Sequence, residues 1–93
     1  MTTFIDVLAE KNLRNSDVAK ATGFFASQTC EVLAGKRLVR ETGYRGMPSE
    51  MTLLATLFDL SPDKIREISH ASVARHLQAE RDRPPPKPER TEP

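Results

Sequence analysis

"NSDVAKATGFFASQTCEVLAGKR", residues 15–37, holds two short helical patterns separated by one glycine. Asn15 is a good N-cap, and Asp17 falls in the first turn, where the helix dipole favours an acid. A helix is therefore expected near 16–22. Gly23 stops it, because glycine readily takes the positive φ that a tight turn demands. A second helix is expected near 26–34, ending at Gly35 as a left-handed cap. Ala19 is small enough for the two helices to cross closely. Val18, Phe24 and Val32 face a shared core and lock the pair at a fixed angle.

The flanking sequence supplies more helices and no convincing strand. A helix near 3–11 has Thr3 and Asp6 at capping-box spacing, puts Phe4, Val7 and Leu8 on one face, and ends at Asn12 and Leu13. After the opening stretch, "GKRLVRETGYRGMP" (residues 35–48) is a loop with three glycines and a closing proline, long for a helix connection. Ser49 and Glu50 then open a helix near 50–59, with Leu53, Leu54, Leu57 and Phe58 as its apolar residues. "SPDK" (61–64) opens a fifth helix, with serine as cap and proline at the first helical position. That helix runs to about Arg83, since Pro84 biases the residue before it away from helix. The fold class is all-α, five helices in one small domain.

The chain has 93 residues, a net charge of +1 and one cysteine, Cys30, which excludes an internal disulfide framework. The last ten residues, "PPPKPERTEP", hold five prolines and no large apolar side chain, and read as a disordered proline-rich tail. The amino terminus, "MTTFIDVLAEKN", has acids where a signal peptide needs bases. No apolar run approaches the roughly 18 residues of a membrane span, so a cytoplasmic protein with no membrane association is expected. Charge is unevenly spread: residues 1–35 sum to −1, residues 36–48 to +3, residues 49–83 to −1, and the tail is neutral. A local patch matters more for phosphate contact than the whole-chain sum. His70 and His76 lie six apart on the last helix, on different faces. No nucleophile–base arrangement, phosphate loop or paired acids can be named, so neither an enzyme, a cofactor nor a metal site is expected.

The register of Ala19, Gly23, Val32 and Gly35, with "DVAKATGF", "EVLAGKR" and "PSEMTLLATLFDLSPDKI" in order, resembles the lambda-repressor-like (Cro/C1-type, Xre-like) helix-turn-helix family over about residues 4–65. That resemblance implies a DNA-binding domain over 1–69, with a helical extension at 70–83 and the tail at 84–93. It implies base contacts by Phe25, Ala26, Ser27, Gln28 and Glu31 of a recognition helix in the major groove. Gln28 suits adenine, Glu31 suits cytosine N4, Ser27 several bases, and Ala26 and Phe25 a thymine methyl. Backbone contacts fall to Asn15, Lys36 and Arg37. Arg40, Tyr44 and Arg45, on the glycine-bounded loop, are further contact candidates for a minor groove. Two positions depart from the family pattern. Thr29 stands where an apolar residue is common. Phe25 stands where serine or threonine usually caps the helix, and it has no room in the core beside Phe24.

On the fifth helix, Ile65, Ile68 and Ser72 share the face expected to pack on the domain, while Val73, Ala74 and Leu77 fall roughly opposite. The second stripe is the expected contact of a homodimer, which would set two recognition helices on a palindromic operator about one turn apart. The expected function is a small transcriptional regulator, simplest as a Cro-like or immunity-type repressor. Two alternatives stay open. One is an antitoxin that represses its own operon and holds a small protein partner through the last helix and tail. The other is a protein-interaction module without DNA readout.

Overall fold

The computed structural model describes residues 2–82, so Arg83 and the proline-rich tail lie outside the described residues. Five α-helices and no strand occur among them: α1 (Phe4–Lys11), α2 (Asn15–Thr22), α3 (Ala26–Leu33), α4 (Glu50–Phe58) and α5 (Pro62–Asp82). The capping chemistry places most of the ends. At α1 the Thr3 hydroxyl accepts from the Asp6 N–H, and the Asp6 carboxylate accepts from the Thr3 N–H at 2.9 Å. Asn12 closes that helix in the left-handed region at φ 55°. At α4 the Ser49 Oγ accepts from the Thr52 N–H, and at α5 the Ser61 Oγ accepts from the Lys64 N–H.

The start of α2 differs from expectation. Asn15 is its first helical residue, and the extended cap position belongs to Arg14. The Asp17 carboxylate accepts from the Arg14 N–H at 2.9 Å, and this bond moves the start of the helix one residue toward the amino terminus. α3 ends at Leu33, with Ala34 as a right-handed cap and Gly35 beyond it at φ 78°. α4 ends at Phe58, with Asp59 left-handed at φ 56°.

The core forms where all five helices meet. Phe4, Val18, Leu54, Phe58 and Ile65 are fully buried, with Val32 and Ile68 almost so. The Phe4 and Phe58 rings lie 6.3 Å apart in a tilted pair. On α4 the core side is Met51, Leu54, Ala55 and Phe58, while Leu53 and Leu57 are half-buried. α2 packs on α3 and α4, and α5 receives α1, α3 and α4. Two glycines make this arrangement possible. Gly23, at φ 80°, turns the chain between α2 and α3. Gly35 lets the end of α3 press onto α5, since a Cβ there would overlap the Ser72 carbonyl.

Buried side-chain polar atoms all have hydrogen-bond partners among the described residues. Ser72 Oγ accepts from the Phe4 N–H at 2.9 Å and donates to the Ile68 carbonyl, tying α1 to α5. Thr29 is buried despite its hydroxyl, which it donates to the Phe25 carbonyl at 3.0 Å. α5 is unbroken across residues 69 and 70, and its buried positions continue to Ser72. No described helix is long and apolar enough to cross a membrane.

The long connection between α3 and α4 divides into two parts. Its first part is fastened: Val39 enters the core, its N–H bonds Ser69 Oγ at 2.9 Å, and Glu41 pairs with Arg66 of α5. The Arg40 carbonyl accepts from the Met51 N–H at the start of α4. The rest projects outward as a turn in which the Met47 N–H bonds the Tyr44 carbonyl, with Arg45 (φ 49°) and Gly46 (φ 75°) both left-handed at its centre.

Candidate nucleic-acid interface

The first turn of α3 faces solvent. Ala26 and Ser27 are exposed, and Phe25 is 80% exposed, while its neighbour Phe24 is the ring that packs, half-buried, against the core at this turn. Thus the cap position of α3 carries a large apolar side chain that neither caps nor packs. One open groove of about 380 Å³ is lined by Phe25, Ser27, Gln28, Glu31, Arg37 and Arg40. It brings together four of the five residues named as base contacts with two bases of the following loop. An adjoining cleft runs from the Gly23 turn to the projecting loop, and Tyr44 and Met47 help to line it.

Three polar side chains of this face, Gln28, Glu31 and Arg37, are bonded into a network around Glu50, which is only 6% exposed. Glu50 Oε2 accepts from Gln28 Nε2 at 2.7 Å and from Arg37 Nη2 at 2.8 Å. Its Oε1 accepts from Arg37 Nη1 at 2.8 Å and from the Arg40 N–H at 2.9 Å. Burial alone would raise the Glu50 carboxyl, but hydrogen bonds from Arg37, Gln28 and the Arg40 backbone overcome it and hold the group down at about 2. Arg37 responds in the opposite sense, raised chiefly by its hydrogen bonds to Glu50. Its Nε also donates to Glu31 Oε2 at 3.2 Å, and its Nη1 to the Leu38 carbonyl. Gln28 is held at its other end too, where Oε1 accepts from the Phe25 N–H at 3.3 Å.

The named residues therefore fall into groups. Phe25, Ala26 and Ser27 are exposed on the α3 tip, and Gln28 and Glu31 are partly engaged within the network. Arg37, read from sequence as a backbone contact, is turned inward onto two carboxylates. Lys36, Arg40 and Arg45 have no acid within ion-pair distance among the described residues, and the Arg45 guanidinium lies 5.3 Å over the exposed Tyr44 ring. Asn15 is not brought to this groove. It lines a separate depression with Ile5, Leu8, Leu33 and Ala34. Of the α5 stripe, Val73 is half-buried, Ala74 is exposed and Leu77 is 50% exposed.

Sequence reading did not single out Glu50. In the sequence Glu50 reads only as an acid opening α4, and its one distinguishing signal is its place directly after the basic loop. No protein-family model, curated protein or solved structure matches the chain.

Proposed function

We propose that α2, the Gly23 turn and α3 form a DNA-binding helix-turn-helix, and that the chain is a sequence-specific regulator of transcription acting on double-stranded DNA. The observation that carries this reading is the single groove shared by the exposed α3 face and the basic loop. A helix whose first turn stands clear of the domain can enter a major groove, and bases beside it can meet the flanking phosphates. Phe25, Ala26 and Ser27 are then the tip contacts, with Gln28 and Glu31 reading one turn further along. Lys36 and Arg40 hold the backbone, and Arg45 with Tyr44 extends the contact along the duplex. Arg37 belongs to the reading face more than to the phosphate contacts, because its charge is already met by Glu50 and Glu31.

In this reading the protein is cytoplasmic, needs no cofactor and catalyses nothing. It acts most simply as a repressor that occludes a promoter, in the manner of Cro-like or immunity-type repressors. The exposed Leu77 and Ala74, beside the half-buried Val73, are proposed as the contact of a homodimer on a palindromic operator. The test is fluorescence-anisotropy binding to the DNA upstream of the chain's own gene and to a scrambled duplex, at two salt concentrations. A specific regulator is expected to prefer its own DNA by about 10³-fold or more. Equal binding that salt abolishes would reduce the protein to a backbone binder, and no binding to either duplex would remove DNA altogether.

One observation favours a second reading, a protein-holding module such as an antitoxin. α5 continues beyond its buried positions with Leu77 exposed, and Ile5 on α1 is also 54% exposed. Under that reading a small partner protein co-purifies; an antitoxin still needs Lys36, Arg40 and Arg45 on its own operator, whereas in a module without DNA readout neutralising them changes nothing.

A further inference from the structure

We infer that Glu50, which is turned inward and need not touch DNA, is the positioning residue that sets which bases the α3 face selects. It does so by holding Gln28, Arg37 and, through Arg37, Glu31 in one arrangement. The inference rests on the DNA-reading proposal above.

A carboxylate has about four acceptor positions, and the four hydrogen bonds to Glu50 fill them. Every neighbour is a donor, so the site demands a group that only accepts. The consequence reaches Gln28. The Phe25 N–H can only donate and the Glu50 carboxylate can only accept, so the Gln28 amide has one allowed orientation: Oε1 toward Phe25, Nε2 toward Glu50. One N–H and one oxygen lone pair remain for a ligand, the pair that a two-point contact with adenine uses. A free glutamine would lose rotamer freedom on binding, whereas this one has lost it on folding.

Arg37 is held as firmly. Of its five N–H groups, four are spent on Glu50, Glu31 and the Leu38 carbonyl. It is therefore a brace and not a flexible phosphate hook. By occupying Glu31 Oε2 it leaves Oε1 to accept from a base. The same Glu50 carboxylate takes the Arg40 N–H, which fixes where the projecting part of the loop begins. Glu50 thus ties helix face and loop together while cancelling one positive charge beside the DNA. The exchange lowers backbone attraction and sharpens discrimination.

The experiment selects a preferred duplex from a random library with the full wild-type chain. Anisotropy then gives Kd for that duplex and a scrambled one with wild type, E50Q, E50D and S49A. E50Q removes the negative charge and puts an NH₂ group against donors. It is expected to bind scrambled DNA more tightly, with a salt slope steeper by about 1. Its preference for the selected duplex is expected to fall by about tenfold. E50D keeps the charge but withdraws the carboxylate by one methylene, and loses the preference without gaining on scrambled DNA. S49A removes the α4 cap and the hydroxyl contact to Thr52 without touching the Glu50 network, so it lowers the melting temperature and leaves the preference intact.

An unchanged preference in E50Q and E50D overturns the inference, as does an equal loss in S49A. Should both Glu50 variants fail to fold, wild-type ¹⁵N spectra carry the test. The Gln28 side-chain amide and Arg37 Nε–H signals are expected to shift with the selected duplex and not with the scrambled one, and no shift overturns the inference. Failure to select any preferred duplex defeats the DNA-reading proposal itself, a different outcome from a selected duplex that ignores Glu50.

Discussion

Replacing Phe25 by serine is expected to make the protein more stable and worse at binding DNA. Phe25 holds the N-cap of α3 with extended backbone (φ −68°, ψ 152°), the geometry of a capping serine, yet its side chain makes no cap hydrogen bond. Half of a capping box already exists there, since Gln28 Oε1 accepts from the Phe25 N–H. A serine oxygen would complete it and contribute about 1 kcal/mol. Against this stands lost packing. A fully buried phenylalanine contributes roughly 1.5–3 kcal/mol, and with the ring 80% exposed only about a fifth of that, some 0.3–0.6 kcal/mol, is at stake. The net is a gain of about 0.5 kcal/mol, or a rise in Tm of about 2–4 °C for a domain of this size. On DNA the same change removes a large apolar contact, and binding to a preferred duplex is expected to weaken by about tenfold. Thermal melts followed by circular dichroism and anisotropy titrations on the same preparations read both effects. A fall in Tm would show that the ring supports the fold. A raised Tm with unchanged affinity would take Phe25 out of the interface.

Gly35→Ala is expected to cost at least about 2 kcal/mol in urea denaturation, because it forces alanine to φ 78° and drives its Cβ into the Ser72 carbonyl. Lys36→Ala and Arg37→Ala, adjacent in sequence, should behave differently. The first lowers DNA affinity with the melting curve unchanged, while the second leaves Glu50 buried without its partner and destabilises the fold by about 3 kcal/mol or more. Glu50 also predicts a pH dependence. Its folded value of about 2 lies below the ordinary 4.5, so the folded state favours the carboxylate. That contribution, up to about 3 kcal/mol, is complete above about pH 4.5 and is lost as pH falls through about 2. Urea midpoints measured between pH 5 and 2 should therefore fall less steeply in E50Q than in wild type.

The fold was legible because local and long-range signals agreed. Thr3 with Asp6, Ser49, and Ser61 with Pro62 mark helix starts by hydrogen-bond chemistry that depends on neighbours within three residues. Gly23 and Gly35 mark turns by a conformation few other residues accept. The misplaced start of α2 has the same origin, since Asn15 and Asp17 are both plausible anchors and only the folded backbone decides between them. The α3 tip was also legible: of two adjacent phenylalanines at a helix start one was expected to stay outside the core, and Phe25 is the exposed one. The network around Glu50 was not legible. Its members come from α3, the loop and α4, with Gln28 and Glu50 separated by 22 positions, and no periodicity joins them. Gln28, Glu31 and Arg37 read equally well in sequence as independent, solvent-facing side chains.

That difference alters what the basic segment can do, and salt titration measures it. By sequence, residues 36–48 reach +3 through four bases and Glu41. In the folded chain Glu41 is paired with Arg66, which removes the one acid of the count, while Arg37 is paired with Glu50 and Glu31, which removes one base. Three bases remain available, the same total with different members: Lys36, Arg40 and Arg45. Each phosphate neutralised contributes about −0.9 to the slope of log K against log salt, so three contacts give about −2.7 per protomer and about −5.4 for a dimer on two half-sites. If Arg37 instead left Glu50 for a phosphate, the slope would approach −3.6 per protomer, and a buried carboxylate would be stranded at the cost of the fold. A slope near the smaller value that Arg40→Ala reduces by about one and Arg37→Gln does not would establish Arg37 as part of the scaffold. A slope near the larger value would mean that the ion pair breaks on binding and that the free protein holds Arg37 in reserve.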